Sequence, residues 1–168
     1  DVTDSPYKLT HMAEYEAGIA LSNALFKFPK FRSESVIPLV VFTQPEVARV
    51  SLTEQQALPQ GYYLNIYRFD FKEIDWAIKE GDTEGFAKIV LNKDKVLGVS
   101  IVGPNAGELI AEFALLMQAK LSIAKMSQTI HAYPTLAQIN RRLVNQYYAE
   151  KLFHPKTKRL VRFLMRWL

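Results

Sequence analysis

The sequence offers three histidines, His11, His131 and His154, and no cysteine. Imidazole is the side chain that moves protons near neutral pH. Histidines hold metal when they stand at fixed spacings, as in H-E-x-x-H, where two rings four residues apart share one helix face. No such pair occurs, so no metal site is expected. Without cysteine, this chain can carry no disulfide scaffold, zinc ribbon, thiol nucleophile or redox dithiol. Its seven glycines form neither G-x-G-x-x-G nor a P-loop, so a complete nucleotide-phosphate cradle is not expected within it. No nucleophile elbow accompanies the serines and threonines, which leaves acyl transfer unsupported.

The elements that must position these residues come from a chain of 168 residues, 49% apolar and 23% charged, enough for one well-buried domain with a small appendage. Residues 9–28 predict a helix, with Thr10 as its cap, Glu14 and Glu16 suiting its N-terminal end, and Met12, Tyr15 and Ile19 at helical spacing. Strand-like patterns follow at 36–42 and 47–52, separated by a Gln44-Pro45-Glu46 turn. Residues 62–71 alternate, with Tyr63, Tyr67, Phe69 and Phe71 on one side, which predicts a strand covered at least partly on both faces. The clearest element is a hairpin of 86–91 and 96–102, in which Gly98 marks a bulge or a close backbone approach. A helix with a wide apolar stripe spans 106–119, and a weaker helical turn falls near 124–129. Residues 130–133 precede a proline and read as extended, with Pro134 early in a helix running to about Leu152. Strands in succession followed by helices in succession predict an α+β domain with an antiparallel sheet covered by helices.

Five stretches carry a resemblance: Phe42-Thr43-Gln44-Pro45-Glu46-Val47-Ala48, Leu52-Thr53-Glu54, Gly85-Phe86-Ala87-Lys88, Leu97-Gly98-Val99-Ser100-Ile101-Val102-Gly103 and His131-Ala132-Tyr133-Pro134-Thr135. In order and spacing they resemble the C-terminal dimerisation domain of the pyridine nucleotide-disulfide oxidoreductases. Leu9-Thr10-His11-Met12-Ala13-Glu14 resembles the last helix of the FAD domain in the same proteins. The resemblance implies two segments, 1–34, the end of an FAD domain, and 35–152, the dimerisation domain; 153–168 lie beyond it and read as a basic amphipathic C-terminal helix. It further implies a homodimer, FAD and NAD(P)H bound by a longer protein, and a fragment that is inactive alone. Asp1, Leu9 and Thr10 fall at the flavin positions, Asp1 matching a carboxylate that accepts from the ribityl chain and Thr10 the helix N-terminus beneath the ring.

In family members that act on disulfides, His-Pro-Thr-x-x-Glu supplies an acid-base histidine to the partner subunit's dithiol, with the glutamate orienting it. Here those two positions hold Tyr133 and Gln138. A phenol with an ordinary pKa near ~10 does not shuttle protons where an imidazole of ~6.5 does. His131, two residues earlier, is expected to point the same way but roughly 6 to 7 Å along the chain. The pattern resembles the mercuric reductase-like branch, in which tyrosine replaces the histidine and the partner site handles a metal ion or another acceptor. Tyr133, Gln138 and His131 are thus the candidate catalytic residues.

The net charge is +4, with the basic excess in the last residues, so a nucleic-acid-binding face is not expected. Lys156, Lys158, Arg159, Arg162 and Arg166 accompany Leu160, Phe163, Leu164, Trp167 and Leu168 at helical spacing, a basic amphipathic helix. Docking on its own subunit comes first among its uses and peripheral membrane contact second. No apolar run approaches the ~20 residues that span a bilayer, and no signal peptide is recognised at the start, so a cytoplasmic location is expected. A stand-alone interaction module is the alternative; a start at Asp1, inside a family-like motif, speaks against it.

Overall fold

The computed structural model describes residues 4–26 and 29–165. The chain divides into two compact units, Asp1–Ser35 and Val36–Leu168.

The first unit is built on helix α1 (Thr10–Leu25). Its N-cap is Leu9, in extended conformation, and no side chain caps that end. The expected Thr10 cap is therefore corrected: Thr10 already lies inside the first turn, one residue too late for its hydroxyl to reach back over the free amides. Nor does a carboxylate stand in that turn; Glu16 pairs with Arg32 at 2.8 Å instead. The helix stops at Leu25, and the Asn23 side chain holds the returning chain, accepting from Lys30 N at 2.7 Å and donating to Lys30 O at 3.0 Å.

The second unit contains β1 (Pro38–Val41), β2 (Glu46–Ser51), α2 (Glu54–Ala57), β3 (Leu64–Asp70), α3 (Asp75–Glu80), β4 (Phe86–Asn92), β5 (Lys95–Gly103), α4 (Ala106–Gln118), α5 (Ile123–Gln128), α6 (Gln138–Phe153) and α7 (Pro155–Leu164). The strands form one antiparallel sheet in the order β1-β2-β5-β4-β3. Alternation puts Ala48, Val50, Ile89, Leu91, Val99 and Ile101 on one face, where they form the core with α4 and α6. Helix α4 lies against β1, β2 and β5, and α6 against β3 and β4. The opposite face holds a small apolar cluster of Ala57, Val90 and Leu97 beneath α2. The α+β architecture is the expected one.

Particular residues differ from expectation for local reasons. Tyr63 precedes β3 and is 77% exposed, so the covered side of that strand is carried by Tyr67 and Phe69, with Phe71 buried in the 3-10 turn that follows. Pro134 lies outside α6, which begins at Gln138. Between them the backbone runs through three-residue turns, Gln138 N donating to Thr135 O, Ile139 N to Leu136 O and Asn140 N to Ala137 O, so the helical register starts one turn late. Gly98 fulfils both expectations at once. The β4–β5 register slips between Val90 and Leu91, leaving Leu97 as the extra residue of a bulge. A Cβ on Gly98 would lie 1.9 Å from the Leu52 carbonyl oxygen.

Three polar contacts fasten α6 to the sheet. Tyr67 donates to Glu150 at 2.6 Å, and Tyr147 donates to Asp94 in the β4–β5 turn, where Lys151 also pairs at 2.8 Å. Lys151 and the Tyr147 hydroxyl hold the Asp94 carboxyl below its ordinary range, while burial is the first cause raising the Tyr67 phenol.

Candidate functional site

The loop from 129 to 137, between α5 and α6, carries Tyr133 and His131, and Gln138 follows it as the first residue of α6. The structure does not point these three candidate catalytic residues at one place. His131 turns inward, its side chain only 5% exposed, with Nε2 at 2.8 Å from Glu112 Oε1 on α4 and Nδ1 at 3.1 Å from Thr129 O. Tyr133 turns out, 70% exposed, and its hydroxyl donates to Asp75 Oδ2 at the start of α3 at 2.9 Å. The expectation that the two rings point the same way is corrected: alternation along an extended strand does not apply, because this loop has no strand ladder and each ring follows its own carboxylate.

Gln138 serves the loop's backbone. Its Nε2 donates to Ala132 O at 3.0 Å and His131 O at 3.2 Å, and the Thr135 hydroxyl donates to the same Ala132 O at 2.8 Å. Two carbonyls that would otherwise point away from secondary structure are thereby satisfied, and the loop is held from the first turn of α6. Two anchors result: the Gln138 amide at the backbone, and His131 on Glu112.

Sequence reasoning missed three members of this arrangement. Glu112 stands among Leu109, Ile110 and Phe113, an acidic interruption of an apolar stripe that signals a buried polar partner. Asn140, itself buried, donates from Nδ2 to Glu112 Oε2 at 2.9 Å and to Leu109 O at 3.0 Å, so both carboxylate oxygens are engaged. Asp75 gave no signal, since it lies 58 residues from Tyr133.

Asp75 reinforces the neutral state of the phenol. Its carboxylate accepts a hydrogen bond from the hydroxyl and repels a phenolate, which raises Tyr133 above the ordinary tyrosine pKa, with nearby Arg142 opposing. At neutral pH Tyr133 keeps its proton and is no base. Glu73, Ile74, Asp75, Tyr133, Gln138 and Arg142 line a small notch here. No group of His, Asp and Glu suited to a metal ion occurs among the described residues.

This loop, followed by a helix and presented by a five-stranded antiparallel sheet, matches a known domain: residues 37–143 fit the family described as pyridine nucleotide-disulphide oxidoreductase, dimerisation domain. The chain belongs to that family. Over 141 residues this dimerisation domain is 38% identical to the dihydrolipoyl dehydrogenase of Geobacillus stearothermophilus, covering 83% of this chain and 30% of that protein. With the mitochondrial dihydrolipoyl dehydrogenase of Caenorhabditis elegans it shares 38% identity over 143 residues, covering 84% of this chain and 28% of that protein. Among solved structures, LpdA from Mycobacterium tuberculosis superposes with a TM-score of 0.78 at 23% identity, covering 85% of this chain and 32% of that one. The Cu(II) complex of the HOCl-induced flavoprotein disulfide reductase RclA from Escherichia coli gives 0.79 at 22%, covering 83% and 32%. At these identities the structural likeness is one of fold. The chain spans less than a third of the length of the curated relatives it matches.

The residues expected to face a flavin fall in the first unit. Asp1 lies outside the described residues, while Leu9 and Thr10 open α1. A helix leaves its first amides without intrahelical partners.

Proposed function

We propose that this chain is the dimerisation domain, with the end of the FAD domain, of an FAD- and NAD(P)H-dependent oxidoreductase. In this reading the protein is a cytoplasmic homodimer, and loop 129–137 of each copy completes the flavin site of the other. The observation that carries it is Tyr133: a phenol at the tip of a doubly anchored loop, 70% exposed and committed to no core of its own. Tyrosine is a residue that dimer interfaces favour, since it buries much area at little entropic cost. Ile130 on the same loop is 92% exposed, an apolar side chain that a second subunit would cover.

FAD, when bound, supplies two-electron chemistry between the nicotinamide and the acceptor. The chain's own residues have narrower tasks. Asp1 would accept from the ribityl hydroxyls, and the α1 terminus at Leu9 and Thr10 would favour negative charge near the ring, worth roughly 0.3 to 2 kcal/mol. Tyr133 would stay protonated, its single hydroxyl proton going either to Asp75, as here, or to a bound group in its place, without the phenol taking up a proton itself. The relatives named above are dihydrolipoyl dehydrogenases, which supports the oxidoreductase class. A mercuric reductase-like acceptor site rests on Tyr133 and Gln138 alone, and it is the acceptor chemistry we favour.

Steady-state assays of the whole protein with glutathione-type disulfides, mercuric ion and quinones test this. Slow disulfide turnover beside faster reduction of mercuric ion is the expected outcome; brisk disulfide reduction would remove the acceptor assignment.

A further inference from the structure

Helix α7 is unlike the long helices α4 and α6 of its unit, because it sends no side chain into the core. None of its described residues is buried, and it packs on the end of α6, with a bend at His154 where the imidazole accepts from Lys156 N at 3.3 Å. Docking on its own subunit, the first expectation for this segment, is therefore not what the structure shows: the apolar side chains Leu160, Val161 and Leu164 are 58%, 44% and 51% exposed.

The two kinds of side chain are sorted. At about 100° per residue, Thr157, Leu160, Val161 and Leu164 fall on one face and Lys158, Arg159 and Arg162 on the opposite one, with Lys156 and Phe163 at one border between them. Beyond Glu150 the sequence has no acidic residue, and its last three residues are Arg166, a further cation, Trp167 and Leu168. Among the described residues, Lys156, Arg159 and Arg162 make no salt bridge, and Lys158 lies over the Phe153 ring at 5.6 Å.

Four occupants compete for such a helix, and the pattern separates them. Nucleic acid would neutralise the cations and leave the leucines in water. A second copy of the tail carries the same charge and no carboxylate, so two tails repel. An acidic protein would need an apolar groove edged with carboxylates. An anionic bilayer satisfies both faces by its ordinary chemistry: acyl chains take Leu160, Val161 and Leu164, headgroup phosphates take the cations, and an indole prefers the boundary between them.

We propose that α7 is an in-plane anchor that holds this protein reversibly on anionic lipid membranes. No described helix is long and apolar enough to cross a membrane, so the contact is one of surface and not of span.

Flotation of the full chain with vesicles of phosphatidylcholine alone, and of phosphatidylcholine with phosphatidylglycerol, reads it out. Binding is expected only to the anionic vesicles and is expected to fall with added salt. Arg159→Ala with Arg162→Ala should weaken it about 5-fold per cation, roughly 30-fold together. Leu160→Ser with Leu164→Ser, cations intact, should weaken it at least about 10-fold. All four positions are exposed, so folding is not at stake. Equal binding to neutral vesicles, full binding by the leucine variant, or no flotation with either composition would each overturn the anchor.

Discussion

In the whole flavoenzyme proposed here, Tyr133→His together with Gln138→Glu is expected to raise turnover of glutathione-type disulfides by about 10²- to 10⁴-fold, the span that a placed general acid or base contributes. A phenol is protonated at neutral pH, and Asp75 raises Tyr133 further from titrating there, so the loop tip lacks a group that both takes and returns a proton. An imidazole at the same position titrates where the enzyme works, and two nearby carboxylates, that of Asp75 and the one introduced at position 138, would favour its cation.

Both changes are needed for a reason visible in the loop. The Gln138 amide donates to the carbonyls of Ala132 and His131; a carboxylate cannot donate, and would face two oxygen acceptors. Gln138→Glu alone is therefore expected to loosen the loop and gain nothing, whereas beside an imidazole the carboxylate finds a donor. The pH profile of kcat/KM should acquire a limb above ~6.5 that the parent lacks, because the two carboxylates raise the imidazole from its ordinary value. A double variant no faster than the parent would show that the loop does not reach the reacting sulfurs.

Gly98→Ala is expected to cost this domain about 3 kcal/mol or more, at the upper end of what overpacking does. The added Cβ would stand 1.9 Å from the Leu52 carbonyl oxygen and 2.8 Å from its carbonyl carbon, and these are backbone atoms that no rotamer change can clear. Ser51, with φ of 58°, turns the end of β2 over this point, and Leu52 N donates to Leu97 O at 3.1 Å, so the close approach belongs to the bulge itself. Relief requires strand β5 to leave β2. By contrast, Gly18 in α1 has nothing within 4 Å of its Cβ position, and Gly18→Ala there should stabilise the helix by roughly 1 kcal/mol. Thermal unfolding should show a fall of roughly 6 to 12 °C for the first change and none for the second. A Gly98→Ala protein as stable as the parent would mean that the bulge is not rigid.

The hairpin, its glycine and the apolar stripe of α4 are legible in the sequence because alternation, turn residues and helical period are local signals, and the antiparallel architecture follows from their succession. Thr10 and Pro134 mislead because helix ends depend on one or two residues of backbone that composition does not fix. The direction of His131 is hidden for a different reason. It is set by Glu112, held in turn by Asn140 on α6, so three elements decide one ring. Asp75, which accepts from the Tyr133 hydroxyl, shares with it no spacing that a linear reading could detect.

Use of each copy's Tyr133 by the other copy can be tested directly with a photoreactive benzoyl-phenylalanine introduced at position 133 of the whole protein. Irradiation is predicted to give a denaturation-resistant species of twice the subunit mass, with the label joined to a peptide of the opposite copy in isotopically mixed dimers. Crosslinks found only within single subunits would contradict it.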